Sequence, residues 1–172
     1  MSSAAPELEI DIAIQDPEWN QLPALEDMVR AAVKTAMSTA PLPERIKSKK
    51  LEISIVLAND DLAHVLNREY RDKDNATNVL TFASLDSEDF YVHDTVGLGD
   101  IVLAYQTIAR EAVEQDKFPM DHVLHLVVHG TLHLLGYKHK QEGDAMIMEA
   151  LEIRILEKLG IQNPYTEKIF MP

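Results

Sequence analysis

The chain has no cysteine, which excludes disulfides, thiolate metal sites, iron–sulfur clusters and cysteine nucleophiles. Any metal must therefore sit on His, Asp or Glu. Glycine and proline are few, 6 and 8 in 172 residues, so collagen-like and low-complexity architectures fall away. Basic residues are the minority. Against 29 Asp and Glu stand 16 Lys and Arg, a formal net charge of −13, which works against non-specific attraction to nucleic acid or to an anionic membrane. No apolar run is long enough to span a bilayer, and the opening MSSAAPELEIDIAI has neither the basic nor the apolar region of a signal peptide. These absences predict a soluble protein of a reducing, cytoplasmic compartment.

What is present is a core. Apolar residues make up 46% of the chain, and a length of 172 residues matches the ~100 to 200 of one domain, so residues 1–172 are expected to fold as a single unit. Leu8, Ile10, Ile12 and Ile14 alternate with Glu9, Asp11 and Ala13, the period of a half-buried strand. Helical spacing follows from Leu22 to Met37, stopped by Pro41 and Pro43. Leu51 to Ala58 reads as a second strand, and Asn59 with Asp60 offers caps to a helix carrying Leu62, Val65, Leu66 and Tyr70. Val79 to Leu85 and Leu98 to Tyr105 read as two more strands, joined by the acidic surface loop SLDSEDFYVHDTVG. Helices are then expected from about Gln106 to Lys117, from Met120 to Leu135 behind Pro119, and from Gly143 to Leu159, with Gly136 and Gly160 as stops. This order predicts an α+β fold, one small mixed four-stranded sheet packed by about five helices.

The unusual chemistry collects in DHVLHLVVHGTLHLLGYKH, which holds five of the seven histidines. At 3.6 residues per turn, with His122 at zero, His125, His129 and His133 fall at roughly 300°, 340° and 20°. The four form one stripe, and Val123, Leu124, Val127, Val128, Leu132, Leu134 and Leu135 cover the remaining sides. A helix apolar on its other faces is buried, so the stripe is expected to line a cleft. His129 and His133 lie one turn apart on the same face, spaced to grip one small cation. Gly136 can take the left-handed conformation that turns the chain back and brings His139 to the same ion. Three neutral nitrogen donors would leave a zinc ion with one open position, the arrangement of catalytic sites; nickel or another divalent metal would also bind such a set. Zinc proteases space two histidines in the same way, but place a Glu base directly after the first, where this chain has Gly130. His122 and His125 read instead as polar members of the helix, held by hydrogen bonds.

The segment HGTLHLLGYKH resembles the HGxLHLxGYDH signature of the YbeY family of bacterial metal-dependent endoribonucleases that act in ribosomal RNA maturation. LNREYRDKDNATNVLTFA is similar to that family's LNxxYRxxDxxTDVLSFP segment, LGDIVL to its GDIVI strand, and MEALEIRILEKLGIQNPY is also similar. The resemblance runs from about Leu51 to Tyr165. It implies a single-domain α+β fold, a zinc ion on His129, His133 and His139, and hydrolysis of single-stranded RNA, with ribosomal RNA as substrate and ribosome-associated proteins as partners. The family's functional arginine falls on Arg71. A fixed guanidinium can hold two phosphoryl oxygens as charge builds on them; the competing reading is an ordinary solvated charge.

Three positions depart from the family pattern: Lys138 stands for an acidic residue before the last histidine, Asn78 for the Asp of TDV, and Ala83 for a proline. A carboxylate lost beside His139 would lower metal affinity, whereas Lys138 turned outward would add positive charge for RNA. Arg45, Lys47, Lys49 and Lys50 form one basic group, and Arg68, Arg71 and Lys73 a second. Facing the cleft they would guide a phosphate backbone, with weak and salt-dependent binding; otherwise they are solvated faces. Tyr137 could stack on a base or simply pack. Two rivals to the nuclease reading remain: a zinc hydrolase of another ester or amide, and a ribosome-associated assembly factor whose metal site is structural.

Overall fold

Periodicity places the elements closely. The computed structural model describes residues 7–47, 50–73, 77–84, 95–138 and 141–165. The strands are β1 (Leu8–Ile14), β2 (Lys50–Ala58), β3 (Val79–Ala83) and β4 (Thr95–Ala104), and the helices are α1 (Leu25–Thr39), α2 (Asp60–Arg71), α3 (Tyr105–Glu114), α4 (Pro119–Leu134) and α5 (Glu142–Lys158). The strands make one mixed sheet in the order β1-β2-β4-β3. β1 and β4 run parallel to β2, and β3 runs antiparallel to β4. The expected α+β class, four-stranded sheet and five helices are all present.

Of the boundaries that differ from the periodic reading, the three largest shifts concern the start of α1, the start of β4 and the end of α3. Residues 17–21 form a 3-10 turn instead of leading straight into α1: Asp16 accepts from the Glu18 N–H, and the buried Trp19 donates its Nε1–H to the Ala58 carbonyl at 2.8 Å. α1 then starts at Leu25, after Ala24 takes a left-handed φ of 55°. β4 begins at Thr95, so the tail of the expected acidic loop is strand; residues 85–94 of that loop lie outside the described residues. α3 stops at Glu114, where Asp116 turns left-handed and Lys117 donates its N–H to the Ala112 carbonyl.

The sheet is covered on both faces. Ile53, Ile55 and Leu57 of β2 and Ile101 and Leu103 of β4 enter the larger core with Val29 and Val33 of α1, Val127 and Leu132 of α4, and Ile155 of α5. On the other side Ala58, Leu80 and Val102 meet Leu62 and Leu66 of α2. The amphipathic α2 is fixed at its start as expected, Asn59 accepting from the Leu62 N–H at 2.9 Å. A bulge between β2 and β4 pairs Glu52 with Gly97 and Ile53 with Gly99. Gly99 sits at φ 138°, and a Cβ there would come within 2.1 Å of the Phe82 carbonyl oxygen, so β3 can lie this close to β4 only against glycine. β3 in turn lies against α4. That contact sets the site.

Candidate metal centre

α4 begins with Pro119 at its first turn and buries Val123, Leu124, Val127, Val128 and Leu132. Its remaining stripe carries the four histidines in a row. Neighbouring ring centroids lie 6.3 Å apart for His122 and His125, 6.4 Å for His125 and His129, and 4.5 Å for His129 and His133. His122 is buried and His129 and His133 are half-buried, so the stripe opens toward the C-terminal end of the helix.

At that end the Nε2 atoms of His129 and His133 lie 3.0 Å apart. The partners of the other ring nitrogens decide what those atoms can do. Glu152 Oε1, 2.5 Å from His129 Nδ1, can only accept while ionised. The Tyr137 carbonyl likewise accepts from His133 Nδ1, at 2.9 Å. Both Nδ1 atoms are therefore donors, and in the neutral rings both Nε2 atoms carry lone pairs pointing at each other. Such a pair is relieved by a shared proton or by a cation between the nitrogens, and neutral imidazoles fixed through Nδ1 are the usual donors for zinc. The residues fit a divalent metal.

The turn after α4 builds half of this arrangement. Gly136 takes φ 101°, its N–H bonds the His133 carbonyl, and the Tyr137 N–H bonds the Leu132 carbonyl. This glycine-closed helix end brings the Tyr137 carbonyl back over His133. The glycine expected to turn the chain does so. His139, the third expected ligand, lies outside the described residues. Among the described residues no group of three His, Asp or Glu side chains is arranged to hold a metal ion; of the three expected ligands, His129 and His133 stand together.

Glu152, which the sequence reading passed over, holds the other half. It is 0% exposed and both of its oxygens are engaged: Oε1 by His129, Oε2 by His125 Nε2 at 3.1 Å and by the Tyr165 hydroxyl. Burial pushes its pKa up, but the hydrogen bonds from His125, His129 and Tyr165 and the nearby His129 ring outweigh this and hold the carboxyl at about 2. The Tyr165 hydroxyl is pushed well above its ordinary range by burial and by that same carboxylate. Its burial, though not its partners, was legible in the sequence: Glu152 sits in line with Met148, Ile155 and Leu156 on the buried face of α5, and a charge there requires partners.

His122 and His125 have the structural roles expected of them. His122 bonds Glu111 Oε1 at 2.9 Å, and Asn78 donates its Nδ2–H to the same oxygen at 2.9 Å. An aspartate at position 78 would bring a second carboxylate to Glu111; asparagine brings a donor. Burial lowers the His122 pKa, with Glu111 partly opposing it. Of the other departures, Lys138 is exposed, and Ala83 ends β3 paired with Gly99.

Arg71 closes α2. Its Nη2 donates to the Thr81 carbonyl, and its guanidinium lies 5.5 Å from the centroid of the Phe82 ring. The methyl of Thr81 and the side chain of Ile101 in turn face Gly130, at 3.2 and 3.1 Å from where a Cβ would stand. A side chain at position 130, such as the glutamate of zinc proteases, would press on both and require them to give by a few tenths of an ångström. Of the two basic groups, Lys47 is paired with Glu44 at 2.6 Å, Lys49 lies outside the described residues, and Arg68 and Arg71 share the last turn of α2. Tyr137 packs, half-buried, and donates its hydroxyl to the Pro41 carbonyl at 3.0 Å.

Residues 12–160 match the profile of the family described as Endoribonuclease YbeY. The chain belongs to that family. Relatives named Endoribonuclease YbeY include those of Paramagnetospirillum magneticum, 45% identical with 94% of this chain and 98% of the relative covered, and of Azorhizobium caulinodans, 42% identical with 92% and 96% covered. The relative from Acinetobacter baylyi is 45% identical, with 81% and 88% covered. A solution structure of a Thermotoga maritima protein has the same fold, with a TM-score of 0.54, 22% identity, and 88% and 91% of the two chains covered. The YbeY assignment spans β1 to α5. Among the described residues no helix is long and apolar enough to cross a membrane.

Proposed function

We propose that this YbeY-family chain is a cytoplasmic endoribonuclease that holds one divalent cation, zinc in the first instance, on His129, His133 and His139 and cuts single-stranded RNA during ribosomal RNA processing and ribosome maturation. In this reading residues 1–172 act as one domain. The observation that carries it is the pair of Nε2 atoms 3.0 Å apart, each ring held by an acceptor on its own Nδ1. A cation bound there supplies Lewis acidity to a scissile phosphodiester. The chain's own residues do the rest. Glu152 and the Tyr137 carbonyl hold the two imidazoles in the tautomer that offers Nε2. Arg71, anchored to Thr81, keeps N–H groups for the phosphoryl oxygens that gain charge during cleavage.

The acidic chain predicts weak, salt-dependent binding of the RNA backbone. The test is cleavage of a defined single-stranded RNA by purified protein, beside peptide and ester substrates, before and after chelation and zinc restoration. Cleavage of RNA alone, lost on chelation and restored by zinc while the fold persists, supports the reading. RNA left intact by zinc-loaded protein overturns it. Loss of the fold on chelation with no chemistry at any stage instead favours a structural metal in an assembly factor.

A further inference from the structure

Beyond the histidine pair, a cavity of about 210 Å³ lies between the start of α4 and the segment that follows α5, with His125 in its wall. Its size is below the ~300 Å³ at which drug-sized ligand sites begin, so it suits a single ring system. Two carboxylates, Asp116 and Asp121, outnumber Lys117 around it, which disfavours a phosphate and favours a group that donates hydrogen bonds. Phe118 at the cavity is 76% exposed, a large aromatic face in water where a stacking partner gains most. Gln162 and Asn163, each with a carboxamide, also line the cavity. Asn163 Oδ1 already accepts the Tyr165 N–H at 2.8 Å, so its side chain offers the cavity a donor. His125 turns its nitrogens inward, Nε2 toward Glu152 and Nδ1 buried, and gives the wall its ring carbons.

We propose that this cavity is a nucleobase subsite that takes an unpaired adenine or cytosine of the RNA chain. The inference rests on the RNA reading above and deepens it. Adenine and cytosine each present an exocyclic amino group, with two N–H donors for the two aspartates, beside a ring-nitrogen acceptor for a carboxamide donor; uracil has no amino group and offers the aspartates a single ring N–H. Unpaired bases read on this edge and stacked on an aromatic ring are the usual form of single-stranded RNA recognition. The position is apt, since His125 stands one helical turn, ~5.4 Å, before His129. The cavity is also tied to the pair itself: His125 and Tyr165, the residue after the cavity wall, both bond Glu152, which holds His129.

The test is an amide NMR titration of the zinc-loaded full chain with adenosine, cytidine and uridine, which have no phosphodiester to cut. Adenosine and cytidine are expected to shift the signals of Phe118, Asp121, Gln162 and Asn163 with at least about fivefold higher affinity than uridine. Phe118→Ala, at an exposed position, is expected to weaken that binding roughly tenfold while the rest of the spectrum stays in place. Equal affinity for the three nucleosides overturns the base selectivity, and shifts absent from the cavity overturn the subsite. Because no cleavage is involved, a chain that cuts RNA but shows no cavity shifts loses only the subsite, and one that shows the shifts but leaves RNA intact loses only the nuclease reading.

Discussion

His129 and His133 face each other through Nε2 at 3.0 Å, and each gives its Nδ1–H to a different acceptor, a buried carboxylate on α5 for the first and a main-chain carbonyl for the second. The two imidazoles are thus set by parts of the chain unrelated in sequence. Removing either acceptor should disturb the pair without touching it.

Glu152→Gln keeps the shape and removes the charge. Chelator competition is expected to show zinc affinity down about 10- to 100-fold. Unchanged affinity would mean that the carboxylate serves only the core. Glu152→Ala should also cost about 1 to 3 kcal/mol in unfolding free energy, since His125, His129 and Tyr165 each lose a buried partner.

Arg71→Ala should cut cleavage of single-stranded RNA by roughly 100- to 1000-fold while zinc content stays at the wild-type level. The side chain is exposed, so unfolding free energy should change by less than about 1 kcal/mol. Arg71→Lys keeps the charge but not the planar fork, and should recover only part of the rate. A wild-type rate in Arg71→Ala would return this residue to the solvated surface.

Gly99→Ala places a Cβ against the Phe82 carbonyl at a backbone angle that alanine avoids. Chemical denaturation should show a loss of at least about 2 kcal/mol, with β3 displaced from β4. A variant as stable as wild type would contradict the close approach of these strands.

His122 sets an acid limit on stability. Burial depresses its folded-state pKa below the ordinary 6.5, against the pull of Glu111, while Lys117 and His125 add to the depression. The unfolded chain therefore binds more protons than the folded one between the two values. This contribution is complete above the unfolded pKa and is lost as pH falls through the folded one. Thermal unfolding from pH 8 to pH 5 should show wild type losing more stability than His122→Gln; parallel curves would contradict the assignment.

Elements governed by local pattern were legible in the sequence. The alternation of Leu8 to Ile14 coincides with β1, and Pro119 and Gly136 bracket α4. The histidine stripe followed from helical spacing alone. Contacts that depend on tertiary packing were not legible: nothing in the spacing of Glu152 says that α5 returns beneath His129, or that Asn78 and His122 share Glu111. The early end of α3 and the late start of α1 were missed because single residues there, Asp116 and Ala24, adopt left-handed backbone that periodicity does not register.

The proposed function requires that the histidine pair hold a cation used to cut RNA. Its most direct test is one preparation series of wild type, His133→Ala and Arg71→Ala, each measured for zinc content and for cleavage of the same single-stranded RNA. Zinc and cleavage are expected in wild type, neither in His133→Ala, and zinc without appreciable cleavage in Arg71→Ala. Equal cleavage in all three, whatever their zinc content, would contradict it.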